Sequence, residues 1–271
     1  MTQQILIDPK NMNKEVDFAK KYADDWAENS IHFNKNSHYR WMVEQLGCAE
    51  MVIEIGCGVG YSTHAIAKKP DRKIFVIESN KKLIDDTVDY LVCNNISLEV
   101  VQSPQDAIER INFVQVVLIH ANIFEIGEQL KVFSNKFDAL VCWLIGTDIL
   151  NICNQLDKDF NKIENSDFGT YRQNVHEFCY ELGEHILKKR GFCHMVDRVK
   201  IKSWEVKNSA RNTLVEEHKK LVSQNYTIDF ENTSFRKSGN FKTSQMKYAL
   251  SSGVNPNGGL DVLSSVKVVR I

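Results

Sequence analysis

The segment MVIEIGCGVG, residues 51–60, determines the fold of this chain. Its first half is apolar and rich in β-branched residues apart from Glu54, which is typical of a buried parallel strand. Its second half has a glycine at every other position, and a helix-compatible stretch, residues 61–69, follows. Glycine permits positive φ angles and lets a ligand approach the backbone. The N–H groups at the start of the following helix would point into the same space. The segment therefore predicts a nucleotide-type pocket at the carboxyl end of the first strand.

The spacing of the glycines separates the classes of nucleotide. A dinucleotide-binding fingerprint needs a third glycine where this chain has Tyr61, which argues against NAD or FAD. No Gly-Lys-Ser/Thr follows, so a Walker-type phosphate loop is excluded. The pattern Glu54-x-Gly56-x-Gly58-x-Gly60 resembles motif I of the class I S-adenosylmethionine-dependent methyltransferases. The resemblance implies that the acid helps to hold the amino group of S-adenosyl-L-methionine, often through water. A glycine turn without a ligand is the alternative.

A second acidic residue strengthens the resemblance. Residues 73–78 predict another buried strand that ends in Glu78, and Ser79-Asn80 is a plausible helix cap. A carboxylate at this place can accept hydrogen bonds from both ribose hydroxyls of an adenosine. In the methyltransferases this is the ribose-binding acid, and Glu78 is its match. A surface glutamate at a strand end is the alternative, but its place one strand–helix unit after motif I favours the ribose site.

The third strand has two candidates. Residues 97–102 form one, and residues 114–120 form the stronger one, which leaves the first as an extra strand and helix. The turn after residue 120 resembles the turn at which the family binds the adenine amino group through an Asp or Asn. The resemblance therefore places adenine at Asn122, with Ile123 beside it. The fallback, if the first candidate is the third strand, is Gln102 and Ser103.

The fourth strand is predicted at residues 137–146, and in the family its carboxyl end faces the methyl group. Cys142 is therefore expected at the cofactor site. Methyltransferases that act on nucleobase amines and some protein amines carry Asn/Asp-Pro-Pro-aromatic here, whereas this chain has Cys142-Trp143-Leu144-Ile145 without a proline. That departure counts against an exocyclic base amine as the target. Trp143 either lines the acceptor pocket or caps the core.

The resemblance implies an α/β fold with a doubly wound, Rossmann-like, seven-stranded sheet whose last strand is antiparallel. A single domain, residues 1–271, is expected, with a helical lid segment at 1–46 and the Rossmann-like core at 47–271. Helical spacing at residues 16–28 and 39–46 leaves a polar loop between them. The aromatic residues of the lid are Tyr22, Trp26, Phe33 and Tyr39, which either cover the cofactor or pack the helices onto the core.

The C-terminal part predicts further elements of the same fold. We expect a helix at 171–189, a turn at Arg190-Gly191 and a strand at 192–197. A helix at 210–224, two final strands at 226–230 and 262–271, and a loop at 253–259 complete the chain.

Composition places limits on partners and compartment. The net charge is −1 and the pI about 6.7, so nothing indicates attraction to nucleic acid or to an anionic membrane. The cysteines number seven, which is odd, and no Cys-x-x-Cys occurs, which predicts reduced thiols rather than disulfides or zinc. No apolar signal region or span-length stretch is visible, so the cytoplasm is the expected location.

Methyl transfer requires that the acceptor approach the methyl group in a dry site, and an oxygen acceptor also needs a base such as His. Most histidines are structural, but the predicted catalytic candidates are His176 and Asp148. Trp143, Tyr171 and Tyr39 are the substrate-binding candidates. No metal-ligand spacing is present.

The pattern favours an enzyme that methylates a small molecule or a peptide side chain. The alternatives are a non-catalytic S-adenosylmethionine-binding module and, disfavoured by charge, an RNA methyltransferase.

Overall fold

Strands and helices alternate along residues 9–146, 148–239, 249–250 and 259–271, which the computed structural model describes. The strands are β1 (Met51–Ile55), β2 (Lys73–Glu78), β3 (Leu98–Val101), β4 (Val116–His120), β5 (Phe137–Trp143), β6 (Leu187–Ile201), β7 (Tyr226–Lys237), β8 (Ala249–Leu250) and β9 (Leu260–Arg270). The helices are α1 (Pro9–Lys35), α2 (His38–Glu44), α3 (Tyr61–Ala67), α4 (Lys81–Cys93), α5 (Pro104–Arg110), α6 (Ile123–Leu130), α7 (Ile149–Leu156), α8 (Asn165–Ile186) and α9 (Lys207–Lys219).

The sheet has the order β3-β4-β2-β1-β5-β6-β9-β7, and β8 pairs with β6. Strands β1 to β6 pair in parallel, whereas β9 is antiparallel to both β6 and β7. The predicted doubly wound α/β fold with an antiparallel last strand is thus confirmed. The sheet is larger than the expected seven strands, because the described residues add β3 at one edge and the two-residue β8.

The position of the third strand is resolved by the pairing of β2. Strand β4 pairs with β2 along its whole length, from Ile74↔Val116 to Glu78↔His120. Strand β3 pairs with the other side of β4 and forms the edge of the sheet. Residues 114–120 therefore contain the third strand of the expected order, and residues 97–102 belong to an added strand.

Both faces of the parallel sheet are covered, as its continuous apolar strands require. Along β1 and β2, Ile53 and Phe75 belong to one buried layer with α8, whereas Val52 and Ile74 belong to the other with α1 and α2. Strands β2 and β5 lie on opposite sides of β1. The strand order therefore reverses its direction there, and β1 lies at the switch point of the sheet. Open α/β sheets bind ligands in the crevice beyond the strand ends at such a point.

The N-terminal segment differs from the expected pair of helices with a polar loop. Helix α1 continues to Lys35, and only residues 36–37 separate it from α2. Packing overrides the weak helix propensity of this stretch, because Phe33 is fully buried and Asn29 is buried with its amide donating to the carbonyl of Asp25 one turn earlier. The prediction of a polar loop between residues 28 and 39 was therefore wrong.

The C-terminal elements are present with shifted ends. Helix α8 begins six residues earlier than expected, at a capping box formed by Glu164 and Asp167. It ends at Ile186 rather than residue 189, because Leu187 already pairs with Phe137 of β5. Strands β6 and β7 are longer than predicted, and α9 is shifted towards the N-terminus. The predicted loop at 253–259 lies outside the described residues except for Gly259.

A search of the described helices for an apolar stretch long enough to span a membrane finds none.

Candidate functional site

The glycine turn after β1 is built as its sequence predicts. Gly56, Gly58 and Gly60 have φ angles of 79°, 56° and 85°, which an L side chain rarely adopts. The N–H of Gly56 donates to the carbonyl of Ile77 at 2.9 Å, which ties the turn to β2. Gly60 caps α3, and a Cβ atom there would crowd Thr87 of α4. The three glycines thus bring the turn close to its neighbours at the switch point.

A cleft of about 620 Å³, including its opening to solvent, lies beside this turn. Its walls come from the carboxyl ends of β1, β2, β4 and β5, the starts of α6 and α7, one side of α8, and α1. The polar residues that line it are Tyr22, Trp26, Glu78, Ser79, Asn122, Trp143, Asp148, Asn151 and Tyr171. The cleft is where the topology predicts a ligand.

Helix α1 closes one side of the cleft with two aromatic residues one turn apart. A Cβ atom on Gly58 would lie 1.9 Å from Nε1 of Trp26, and one on Gly146 would lie 1.4 Å from the hydroxyl oxygen of Tyr22. Both side chains therefore lie directly on glycine backbone. Phe33 and Tyr39 do not line the cleft, because they pack against each other in the core with ring centroids 6.0 Å apart. The structure thus does not bring Tyr39 to the predicted substrate site.

Glu54 lies behind the glycine turn and is 1% exposed. Its Oε2 accepts a hydrogen bond from the hydroxyl of Thr63 at 2.6 Å, while Oε1 is buried without a partner. Burial raises the pKa of this carboxyl to about 7, against the lowering effect of the nearby Ser62 and Thr63 hydroxyls. Glu54 does not itself line the cleft. Its orphaned oxygen leaves room for one more donor, such as a water molecule.

Glu78 ends β2 and faces the cleft. Its Oε1 accepts a hydrogen bond from the N–H of Asn80 at 2.9 Å. Burial, with a further contribution from the charge of Asp148, raises the pKa of Glu78 to about 7.

Asp148 caps α7 through a 3.0 Å hydrogen bond from the N–H of Leu150, and burial raises the pKa of Asp148 as well. No Lys, Arg or His is present among the described residues that line the cleft.

Asn122 and Ile123 lie in the cleft wall at the end of β4. Asn122 caps α6, since its Oδ1 accepts from the N–H of Phe124 at 3.0 Å. The fallback residues are placed elsewhere. Ser103 caps α5 next to the edge strand, and neither Gln102 nor Ser103 lines the cleft. The structure therefore brings the preferred pair together with Glu78.

The end of β5 departs from expectation at Cys142. Its side chain is fully buried in the layer that contains Cys179, on the opposite face from Trp143, so it does not line the cleft. Trp143 lines the cleft, but its indole N–H donates to Nδ1 of His194 at 3.1 Å in the core. Tyr171 lines the cleft from α8. Trp143 therefore both borders the site and anchors the sheet.

His176 is not part of this cleft. It lines a separate cavity between α8, β6 and α9, with its Nε2 3.4 Å from Oδ2 of Asp197. Burial lowers its pKa, but Asp197 and Cys142 more than offset this and raise it to about 8. The two cavities have no lining residue in common, so the structure does not bring His176 together with Asp148.

Sequence reasoning missed Gly146, Ser79 and Asn151. The amide of Asn151 donates to the hydroxyl of Ser79 at 3.0 Å and joins α7 to the end of β2. Gly146 receives the side chain of Tyr22. Gly146 could have been found as a glycine at the end of a predicted strand. Asn151 could have been found as an Asn in the first turn of the helix that Asp148 caps. Within the described part of the chain, no group of three or more His, Cys, Asp or Glu could hold a metal ion.

No family model and no curated protein matches the chain. Similar solved structures include TrmN from Thermus thermophilus, 8% identical over 86% of this chain and 48% of that chain, with a TM-score of 0.47. The N-methyltransferase NodS from Bradyrhizobium japonicum WM9 is 10% identical over 86% of this chain and 95% of that chain, with a TM-score of 0.42. M. jannaschii TYW2 in complex with AdoMet is 16% identical over 86% of this chain and 75% of that chain, with a TM-score of 0.41. This chain spans about half the length of the TrmN chain. Similarities at these low identities and TM-scores do not indicate an activity for this chain.

Proposed function

We propose that this chain is an S-adenosyl-L-methionine-dependent methyltransferase that acts on a small molecule or a peptide side chain. The observation that carries the proposal is the glycine turn at the switch point, with Glu78 in the cleft beside it and Glu54 behind it. The pocket-forming elements are those that open α/β sheets use to bind ligands.

The residues present fit this cofactor. Glu78 offers a carboxylate to ribose hydroxyls at the end of β2. Asn122 and Ile123 would border the adenine at the end of β4. The orphaned Oε1 of Glu54 can accept a bond from a water molecule that in turn contacts an ammonium group. When bound, the cofactor supplies a methyl group on a positively charged sulfur, which is a reactive electrophile.

The protein's own contribution is binding, orientation and the exclusion of water. Tyr22 and Trp26 of α1 lie directly on the backbones of Gly146 and Gly58, so they would border any ligand that contacts the turn. Tyr171 and Asp148 face the same space from α8 and the start of α7. An aromatic-lined cleft at this place suits a small acceptor or a single side chain. A nucleic acid is disfavoured, because no cationic residue is present among the described lining residues to meet its phosphates.

Calorimetry with Gly58→Ala and Gly47→Ala tests the proposal. We expect the unmodified protein to bind S-adenosylhomocysteine with micromolar affinity, about −8 kcal/mol. Gly58→Ala should lose most of this affinity, because its Cβ atom would occupy the space through which the ligand approaches the glycine backbone. Gly47 is the matched control: its φ of 54° imposes similar backbone strain, but a Cβ atom there meets nothing within 4 Å. Gly47→Ala should therefore bind normally.

The double variant Gly58→Ala/Trp26→Ala separates the local clash from misfolding, since it should restore the thermal stability lost by Gly58→Ala. Binding of NAD without binding of S-adenosylhomocysteine would refute the proposed cofactor. Cofactor binding without methyl transfer to any acceptor in a mass-spectrometric screen would favour the non-catalytic module instead.

A further inference from the structure

We infer that the methyl acceptor is a cationic aliphatic or aryl-alkyl amine, which is recognised by Asp148 and by the rings of Tyr22 and Tyr171. This inference rests on the proposed function and specifies the substrate class for the same cleft. It begins from the charges that line that cleft. Glu78 and Asp148 are its two carboxylates, and the described lining residues include no cationic side chain.

The cofactor accounts for only part of this negative charge. Under the proposed function Glu78 serves the ribose, and Glu54 serves the ammonium group through water. S-adenosylmethionine carries one net positive charge, whereas Glu54, Glu78 and Asp148 together can carry three negative charges. Asp148 is thus a carboxylate in the cleft that the cofactor does not require. Asp148 accepts the N–H of Leu150 as the cap of α7, yet burial still raises its pKa, so a cation beside it would stabilise its charged form.

Two tyrosines line the same cleft as Asp148. Tyr22 from α1 and Tyr171 from α8 line the same cleft from two sides. The charges of Asp148 and Glu78 act on both phenols and, after burial, contribute to their raised pKa values. Aromatic faces together with a carboxylate form the environment in which proteins bind ammonium groups. A carboxylate or phosphate acceptor would instead be repelled by the same two acids.

The chemistry of transfer to nitrogen balances in this setting. The bound ammonium first loses one proton to a water molecule at the opening of the cleft, because the lone pair of the nitrogen must be available. The nitrogen then forms a bond to the methyl carbon as the carbon–sulfur bond breaks, and the electron pair of that bond passes to sulfur. The positive charge moves from sulfur to nitrogen, so the cleft holds the same net charge before and after transfer. Asp148 is a binding residue in this account, since it stabilises the cation on nitrogen.

The inference is tested by binding rather than by turnover. Benzylamine, benzyl alcohol and benzoate are titrated by calorimetry into the protein saturated with S-adenosylhomocysteine. These three probes share a ring and differ in charge. We expect benzylamine to bind about tenfold more tightly than benzyl alcohol, and benzoate not to bind.

Asp148→Asn should remove the preference for benzylamine and leave benzyl alcohol binding unchanged. An Asn is an equally good N-cap, so α7 is retained. Asp157→Asn, at the exposed C-cap of the same helix, changes the net charge equally and should have no effect. Equal binding of amine and alcohol, binding of benzoate, or an unaltered amine preference in Asp148→Asn would overturn the inference. Failure of S-adenosylhomocysteine itself to bind would overturn the proposed function, and this inference with it.

Discussion

Glu78 provides a prediction about proton release. In the free protein, burial raises its pKa from the usual 4.5 to about 7, so this carboxyl is largely protonated near pH 6. Ribose hydroxyls and a nearby sulfonium both favour the charged form. Cofactor binding at pH 6 should therefore release protons, which calorimetry in buffers of different ionisation enthalpy measures directly. Glu78→Gln should bind about 1.5–3 kcal/mol more weakly and release fewer protons.

Glu50→Gln is the control for this measurement, because Glu50 is an exposed acid just before β1. It should bind and release protons as the unmodified protein does. Cofactor affinity that is unaltered in Glu78→Gln would show that the ribose does not lie at the end of β2.

Single residues were predictable from sequence where their place is fixed by a strand end. The positions of Glu54 and Glu78 near the glycine turn could be predicted because Glu54 is next to the last residue of β1 and Glu78 is the last residue of β2. Cys142 could not be assigned to a face, since β5 is apolar from Ala139 to Trp143 and is buried on both faces. His176 was misplaced for a related reason: Tyr171 and His176 belong to the same helix but line different cavities.

Helix α1 provides a prediction at the scale of one element. Its Trp26 lies on Gly58, so a ligand that contacts this backbone must displace the indole ring. Titration with S-adenosylhomocysteine should therefore change the intrinsic fluorescence of the protein. The change should become smaller in Trp26→Phe, where Trp143 is the remaining Trp among the described lining residues, and stay the same in Trp41→Phe, because Trp41 in α2 does not line the cleft. An unaltered ligand-induced change in Trp26→Phe would mean that α1 keeps its position when ligand binds.

The ends of elements were less predictable than their order. The continuation of α1 through residues 29–35 depends on burial of Phe33 against distant parts of the chain. The early end of α8 depends on pairing between Leu187 and Phe137, fifty residues apart. Local periodicity does not contain these long-range contacts. The aromatic residues of α1 were recognisable as a group, but only the packing distinguishes Tyr22 and Trp26 from the core residue Phe33.

At the scale of the whole molecule, buried titratable groups give opposing dependences of stability on pH. His38 has its pKa lowered by burial to about 4, and His194 and His218 to about 3, each from 6.5. The unfolded chain binds more protons at these sites, so their effect raises stability as pH rises towards 6.5. Glu54 and Glu78 have raised pKa values near 7, so the folded chain binds more protons and stability falls from about pH 4.5 to 7.

The sum of these effects predicts a stability that rises from about pH 5 and levels off at about pH 7. Three histidines outweigh two glutamates at about pH 5, and above about pH 7 the raised pKa of His176 and the lowered pKa of Cys142 beside it oppose each other. Urea unfolding between about pH 5 and pH 8.5 should show this rise and plateau. Glu78→Gln removes one opposing group, so its stability should rise more steeply between pH 5 and 6.5, by up to about 1.4 kcal/mol per pH unit. Equal slopes for Glu78→Gln and the unmodified protein between about pH 5 and 6.5 would contradict the raised pKa of Glu78, because only the unmodified protein must lose a buried proton there.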